Sequence, residues 1–245
     1  VTVNTQRVMA RARGVFRDQG KKPLPGDWVQ VRYNYEDMTG YIESIEDRKN
    51  ELLRPPVANV DQCVVVASVS EPDFNSWTVD RMLLQVESQH IHTAILITKA
   101  DVNYELALTI KEIYEKIYPT FLIGFGLTDD LEIFLDFISN KITALMGVSG
   151  AGKSTLINYL SHHDLETGEV SDKTKRGKHT TRHVELYEID SNSFIFDTPG
   201  FSSLDIRRYI GDEREIADGF PEFFEPSKGC RFNSCLHDKE PGCKI

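Results

Sequence analysis

One eight-residue stretch beyond the middle of the chain constrains the fold more than any other feature. It fits the pattern G-x-x-x-x-G-K-[ST], in which glycines let backbone N–H groups turn inward around phosphates. The apolar, β-prone run Ile142–Met146 precedes it, and residues 155–160 can continue it as a helix. A strand, a phosphate loop and a helix N-terminus together predict an α/β nucleotide-binding domain. The eight residues are Gly147, Val148, Ser149, Gly150, Ala151, Gly152, Lys153 and Ser154.

The residue types at the end of this loop predict separate roles in holding a nucleotide. Lys153 is expected to reach the outer phosphates, and the Ser154 hydroxyl to ligate Mg2+. Thr155 follows in the first turn of the predicted helix, whose N-terminus faces the anion. The alternative is a glycine-rich turn without a ligand, but such a turn does not require the strand and the helix that flank this one.

The composition, 40% hydrophobic and 27% charged over 245 residues, is that of a globular protein. No apolar run approaches the length of a membrane span, and residues 1–20 lack a signal-peptide core, so we expect a cytoplasmic protein without a membrane partner. The net charge of -10 argues weakly against nucleic-acid binding. Residues 1–33, however, carry a local net charge of +5.

Residues 1–58 read as short strands broken by turns, which suggests a small β-barrel. Residues 28–33 alternate with period two, and residues 40–45 form a further strand candidate. In a barrel of the oligonucleotide-binding (OB) type, the basic residues and Trp28 would form a nucleic-acid surface. The alternative is an ordinary barrel with a solvated basic face and Trp28 in its core.

A second motif lies upstream of the phosphate loop. The apolar run at residues 93–97 predicts a buried parallel strand, and it leads directly into Thr98, Lys99, Ala100 and Asp101. These four residues fit [NT]-K-x-D, in which the Asp carboxylate accepts two hydrogen bonds from guanine while the Lys packs along the base. No other match follows the phosphate loop, so the motif order is reversed, as in a circularly permuted domain.

Two departures from the usual guanine site leave details open. Thr98 stands where Asn is commoner, which leaves one contact that braces the loop in doubt. Residues 122–126 occupy the place of a Ser-Ala-Lys motif without matching it, so we expect backbone contacts to the base there.

Two segments downstream are typical of switch loops. In the basic loop 173–183, Thr180 or Thr181 would complete the Mg2+ shell; the alternative is a solvated charge run. Asp197 ends an apolar strand, where it would ligate Mg2+ directly or through water, and the Gly200 N–H would sense the γ-phosphate. The residue after Gly200 is Phe201, which cannot orient an attacking water. His179 is therefore the catalytic candidate, and the alternative is a structural histidine that faces solvent.

The C-terminal residues contain the pattern C-x4-C-x-H-x5-C, formed by Cys230, Cys235, His237 and Cys243. Three thiols and an imidazole supply the four ligands of a closed tetrahedral zinc site. Disulfides are the alternative, which the reducing conditions met by a cytoplasmic nucleotide protein disfavour. Basic residues surround these ligands, which favours a zinc knuckle that faces nucleic acid or the ribosome over a purely structural site. They are Lys228, Arg231, Lys239 and Lys244.

Taken together, these motifs resemble the RsgA family (YjeQ-type) of circularly permuted GTPases, and the resemblance covers essentially the whole chain. It implies a multidomain fold in which residues 1–58 form an OB-fold β-barrel, residues 59–205 an α/β P-loop GTPase domain and residues 206–245 a zinc-binding domain. It also implies GTP and GDP as ligands with Mg2+, one structural Zn2+, and a role in late maturation of the small ribosomal subunit. Slow GTP hydrolysis stimulated by the 30S subunit, contacts to 16S rRNA and catalysis by His179 follow from the same resemblance. We expect a monomer.

The sequence leaves two other classes of function open. A P-loop kinase or ATPase would share the phosphate loop, which by itself does not choose the base, and the Asp101 motif argues against it. An RNA-binding scaffold with a structural nucleotide would not need the two switch-like loops.

Overall fold

The computed structural model describes residues 1–3, 6–14, 16, 20–53, 55–127, 129–163, 184–190, 192–198 and 210–245. The chain divides into two compact units, Val1–Val60 and Asp61–Ile245. No helix in these described ranges is long and apolar enough to cross a membrane.

The first unit is built from short strands. Strand β5 is the centre of a three-stranded sheet, parallel to β3 and antiparallel to β4. The pairs β1–β2 and β6–β7 form separate antiparallel ladders. The strands are β1 (Thr2–Val3), β2 (Gln6–Arg7), β3 (Met9–Ala12), β4 (Val29–Asn34), β5 (Thr39–Ile45), β6 (Glu51–Leu53) and β7 (Pro56–Ala58).

Trp28 precedes β4 and is 61% exposed, so the interpretation that placed its ring in the core is wrong. The alternation predicted from the sequence appears in β4, where Gln30, Arg32 and Asn34 point outward. Period-two alternation is typical of a strand with one solvated face.

The second unit contains a six-stranded sheet in the order β10-β9-β8-β11-β13-β12. All neighbours are parallel except β12 and β13. The strands are β8 (Gln62–Ser68), β9 (His92–Thr98), β10 (Thr120–Leu122), β11 (Ile142–Met146), β12 (Glu185–Asp190) and β13 (Ser193–Asp197). The helices are α1 (Ser76–Glu87), α2 (Tyr104–Tyr114), α3 (Asp129–Ile138), α4 (Lys153–His163), α5 (Glu213–Asp218) and α6 (Phe224–Ser227).

The core of this unit lies around the central strands. Every residue of β8 is buried, as the continuous apolar run predicted, and Cys63 is a core residue with its thiol pKa raised by burial. Phe134 and Ile138 of α3 pack in the same cluster as Leu145 of β11. Burying both faces of the parallel strands fixes the positions of the loops at their carboxyl ends.

The strand order places a topological switch point between β8 and β11. The chain runs from β8 outward through β9 to β10, and then returns to the other side of β8 to form β11. Ligands of open parallel sheets bind in the crevice at the carboxyl ends of strands that flank such a point.

The C-terminal residues pack against α1 through a glycine. A Cβ atom at Gly219 would lie 2.1 Å from Cδ1 of Leu84, so a side chain does not fit at position 219. Helix α5, just before it, is capped by the Asp212 carboxylate, which accepts hydrogen bonds from the backbone N–H groups of Arg214 and Glu215.

Candidate functional site

The phosphate loop lies at the switch point, between β11 and α4. Gly150 and Gly152 have φ values of 83° and 96°, in the left-handed region that favours glycine. A Cβ atom at Gly147 would lie 2.4 Å from the carbonyl oxygen of Val66, so the loop passes directly against β8. The glycines of the motif are therefore required by the backbone path.

Lys153 begins α4 and is only 5% exposed. Its ammonium donates hydrogen bonds to the carbonyl oxygens of Gly147 at 2.8 Å and of Val148 at 3.0 Å. Burial lowers the pKa of Lys153 to about 8, although the nearby Asp197 carboxylate opposes this shift. An anionic phosphate would stabilise the charged form, so the loop is suited to bind one.

Ser154 and Asp197 bring together two of the oxygen groups predicted to ligate Mg2+. The Ser154 hydroxyl donates to Oδ2 of Asp197 at 3.2 Å, and Asp197 is 6% exposed at the end of β13. The next residue, Thr198, donates its hydroxyl proton to the Leu145 carbonyl oxygen, which ties the end of β13 to β11. A hydroxyl and a carboxylate oxygen are ligands that Mg2+ prefers. Thr155 is exposed in the first turn of α4.

Thr98 connects the phosphate loop to the segment predicted to read the base. Its hydroxyl lies 2.7 Å from the carbonyl oxygen of Ala151 and 3.2 Å from that of Ala67. A hydroxyl has one proton to donate, and the shorter contact favours Ala151. The threonine hydroxyl therefore braces the two loops at the position where asparagine is commoner.

Lys99 has a φ of 55°, and its ammonium donates to the carbonyl oxygens of Ser70 and Glu71, at 2.9 Å for Ser70. Ser70 and Glu71 follow strand β8. These two hydrogen bonds fix the end of the Lys99 side chain beside the segment that follows β8. The methylene groups of a lysine side chain offer an apolar surface along which a base can pack.

Asp101 is exposed and borders the loop that follows β10. A Cβ atom at Gly124 would lie 2.5 Å from Asp101 Oδ1 and 2.6 Å from the Asp101 nitrogen. The backbone N–H of Ala100 also donates to the Ile123 carbonyl oxygen at 3.1 Å. From the sequence, residues 122–126 were known only to lack a Ser-Ala-Lys motif. The structure adds that Asp101 lies against position 124, so this position requires glycine, and no sequence signal indicated that contact.

The cysteine-histidine cluster assembles as its spacing predicted. The ligand atoms of Cys230, Cys235, His237 and Cys243 all lie within 4.8 Å of one another, and these residues could hold a metal ion. His237 Nδ1 is 3.7 Å from Cys230 Sγ and 3.5 Å from Cys243 Sγ. Tetrahedral bonds of about 2.3 Å to sulfur and about 2.0–2.1 Å to nitrogen predict an S···N distance of about 3.6 Å, which these distances match. All four cysteines of the chain are free in this structure, and three of them belong to this cluster.

Backbone N–H groups support the thiols of this cluster. Lys244 N donates to Cys230 Sγ at 3.3 Å, and Ile245 N donates to Cys243 Sγ at 3.4 Å. The hydrogen bond with His237 is the main reason that the pKa of Cys243 falls to about 7. Donors aimed at sulfur stabilise the thiolate, which is the form that binds a metal.

Four predicted site residues lie outside the described residues: the catalytic candidate His179, the Mg2+ candidates Thr180 and Thr181, and the γ-phosphate sensor Gly200. Their roles stay predictions.

Comparison with known proteins gives matches over most of the chain. The family model described as RsgA GTPase matches residues 45–207, and the model described as RsgA N-terminal domain matches residues 1–42. A protein of Oceanobacillus iheyensis named small ribosomal subunit biogenesis GTPase RsgA 2 is 43% identical over 100% of this chain and 84% of its own. A small ribosomal subunit biogenesis GTPase RsgA of Streptococcus pneumoniae is 42% identical over 98% of this chain and 80% of its own.

Two solved structures share the fold. YloQ, described as a circularly permuted GTPase, aligns with 97% of this chain and 77% of its own at a TM-score of 0.71 and 37% identity. YjeQ from Thermotoga maritima aligns with 98% of this chain and 82% of its own at a TM-score of 0.77 and 31% identity. The matches confirm the predicted fold class, in which an OB-type β domain precedes a circularly permuted P-loop GTPase domain and a small C-terminal domain with a Cys-His site.

Proposed function

This chain belongs to the RsgA GTPase family, and we propose that it hydrolyses GTP on the small ribosomal subunit and assists the late maturation of that subunit. One observation carries the proposal beyond family membership: the hydrogen bond between Thr98 and Ala151. It joins the base-reading segment to the phosphate loop across 53 residues of sequence. Phosphate and guanine recognition would therefore share one edge of the sheet, as a GTP site requires.

Within this site, different residues would hold the phosphates, the guanine base and Mg2+. The backbone N–H groups of loop 147–152, with Lys153 and Thr155, hold the phosphates. Asp101 accepts hydrogen bonds from guanine, while Thr98 and Lys99 position the base loop. Ser154 and Asp197, together with Thr180 or Thr181, hold Mg2+, and the Gly200 N–H contacts the γ-phosphate. Bound Mg2+ neutralises charge on the phosphates during transfer.

His179 is the residue that we propose to position the attacking water. The argument is by exclusion, since Phe201 stands where many GTPases carry a water-orienting glutamine. An imidazole can donate to or accept from water at neutral pH, which phenylalanine cannot.

The experiment that tests the function is GTP turnover by the purified protein alone, with small ribosomal subunits, and with large subunits as the control. We expect stimulation by small subunits only. His179→Ala should abolish the stimulated turnover while leaving GDP affinity unchanged. Stimulation by neither subunit would contradict the proposal and favour the scaffold with a structural nucleotide.

The first unit supports a further part of the proposal, contact with 16S rRNA. Strand register places Arg11 of β3 and Arg32 of β4 on either side of Tyr41 of β5. All three are exposed, and neighbouring strands lie about 4.8 Å apart, so the side chains form a continuous row across the sheet. Arginines that neutralise phosphates beside a tyrosine on which a base can stack suit single-stranded RNA.

The metal of the C-terminal cluster is proposed to be Zn2+. A donor set of three thiolates and one imidazole selects zinc over magnesium or calcium, which prefer oxygen. When bound, zinc links residues 230–243, and we propose that these belong to a domain of residues 206–245. The division at residues 58/59 and 205/206, the monomeric state and the cytoplasmic location remain parts of the same proposal.

A further inference from the structure

Phe125 is a large apolar side chain that the site described above does not use. The residue is 93% exposed. Single exposed hydrophobic residues are common in proteins and by themselves imply nothing. The position of this one is specific, because Phe125 lies between Gly124 and Gly126 in the loop that borders Asp101.

Backbone hydrogen bonds attach the start of this loop to β9 and to the guanine motif. Ile123 N donates to the Ile97 carbonyl oxygen at 2.8 Å, and Ala100 N donates to the Ile123 carbonyl oxygen at 3.1 Å. Leu127 N closes the turn by donating to the Gly124 carbonyl oxygen at 3.1 Å. The turn therefore holds Phe125 at its tip, at a fixed place beside Asp101.

The Phe125 ring lies within reach of a base held by Asp101. Gly124 touches the Asp101 carboxylate, and the Cα atom of Phe125 is about 3.8 Å farther along the chain. A phenylalanine ring extends about 5 Å from its own Cα, which is comparable with the width of a purine. The ring is thus long enough to reach a purine whose edge is hydrogen-bonded to the carboxylate.

Few other side chains beside the base could cover one of its faces. The two loops that border the base, residues 98–101 and 123–127, contain no other aromatic residue. The apolar stem of Lys99 is held in place through its ammonium by the carbonyl oxygens of Ser70 and Glu71. It offers a second, fixed apolar surface beside the site.

We propose that Phe125 stacks on the guanine base of the bound nucleotide and shields it from water, and thereby sets the affinity and the dissociation rate of GTP and GDP. The inference rests on the proposed GTPase function and adds a residue to its site. Stacking is tolerant of base identity, so Asp101 alone would choose guanine while Phe125 slows release. Excluding water would also strengthen the hydrogen bonds that Asp101 makes.

Phe125→Ala tests the inference. We expect the Kd values of GDP and GTP to rise about 10-fold through faster dissociation, with the association rate little changed. The preference for guanine over xanthine should stay unchanged, and Phe125→Tyr should restore the affinity. The matched control is Phe224→Ala, which removes a 66% exposed phenylalanine from the C-terminal residues and should leave nucleotide affinity unchanged.

Tryptophan fluorescence gives a direct readout of the contact. The chain contains two tryptophans, both exposed, at positions 28 and 77. In a Trp28→Phe, Trp77→Phe background, a Phe125→Trp substitution places a single indole at the loop tip. Addition of GDP should quench or shift its emission, since the base would lie on the indole.

The outcomes separate this inference from the proposed function. If the wild-type protein binds guanine nucleotides and Phe125→Ala binds them equally well, the inference is wrong and the GTPase proposal stands. If the variant keeps its affinity but loses stimulation by small subunits, Phe125 contacts the ribosome and the inference is again wrong. If the wild-type protein binds no guanine nucleotide, the proposal and the inference fail together.

Discussion

Gly124 and Asp101 approach so closely that a Cβ atom at position 124 would lie 2.5 Å from the Asp101 carboxylate. Asp101 follows β9 and Gly124 follows β10, and these parallel strands are neighbours in the sheet. The contact therefore fixes the carboxylate that we propose to read the base against a loop from the next strand.

Gly124→Ala is expected to weaken GDP and GTP binding about 10- to 100-fold, because the added methyl group must displace Asp101. Isothermal titration measures the effect. Gly126→Ala is the control within the loop: its φ of 77° adds strain, but its Cβ meets nothing within 4 Å. Equal losses in the two variants would show that backbone strain, and not the contact with Asp101, determines binding.

Asp101→Asn should reverse the choice of base. An amide cannot accept both guanine hydrogen bonds, so GTP affinity should fall about 10- to 100-fold while affinity for xanthosine triphosphate rises. Competition binding with the two nucleotides checks this. An unchanged preference would remove Asp101 from the base site, and equal binding of ADP and GDP by the wild-type protein would favour a kinase or ATPase.

Nucleotide affinity should depend on pH through Lys153. Burial sets its pKa at about 8 in the free protein, and bound phosphates would keep it protonated. Binding then takes up a proton above pH 8, so affinity falls as the pH rises through this value. Titrations between about pH 7 and pH 9 measure the slope. Lys153→Arg keeps its charge over this range and should remove the dependence; the same slope in both proteins would assign it to another group.

Cys230→Ser should reduce the zinc content of the purified protein and destabilise the C-terminal residues. The remaining thiols and His237 supply too few ligands to close the tetrahedral site. Metal analysis and thermal unfolding with and without a chelator check both effects. Cys63→Ala is the matched control, because Cys63 is buried in β8 away from the cluster, and it should keep its zinc. Full zinc content in Cys230→Ser would contradict the assigned ligand set.

The joint substitution Arg11→Ala, Arg32→Ala should weaken binding to single-stranded RNA. Each lost phosphate contact should make the slope of log affinity against log salt shallower by about 0.7. Glu43→Gln is the control, because Glu43 forms an ion pair with Arg32 at 2.9 Å and its loss should not weaken RNA binding. An unchanged salt slope in the double variant would exclude the Arg11–Tyr41–Arg32 row from the RNA contact.

Much of the site was predictable because its chemistry is encoded over short distances in the sequence. The phosphate loop, the Thr98–Asp101 motif and the Cys-His spacing each place their groups by local backbone geometry. The apolar runs of β8 and β9 likewise predicted buried parallel strands, and the reversed order of the motifs predicted the permuted domain. Residue types at fixed spacing suffice where one turn or one loop does the positioning.

The sequence by itself thus determined which groups the protein uses, but only the tertiary structure decided how they meet. Thr98 braces Ala151, Lys99 is held at Ser70, and Gly124 touches Asp101, all between segments that are separated in the chain. Such contacts depend on strand order and on the register between neighbouring strands, which residue spacing within one segment does not specify. The row formed by Arg11, Tyr41 and Arg32 likewise depends on the pairing of β5 with both of its neighbours, and the exposure of Trp28 was also visible only in the tertiary structure.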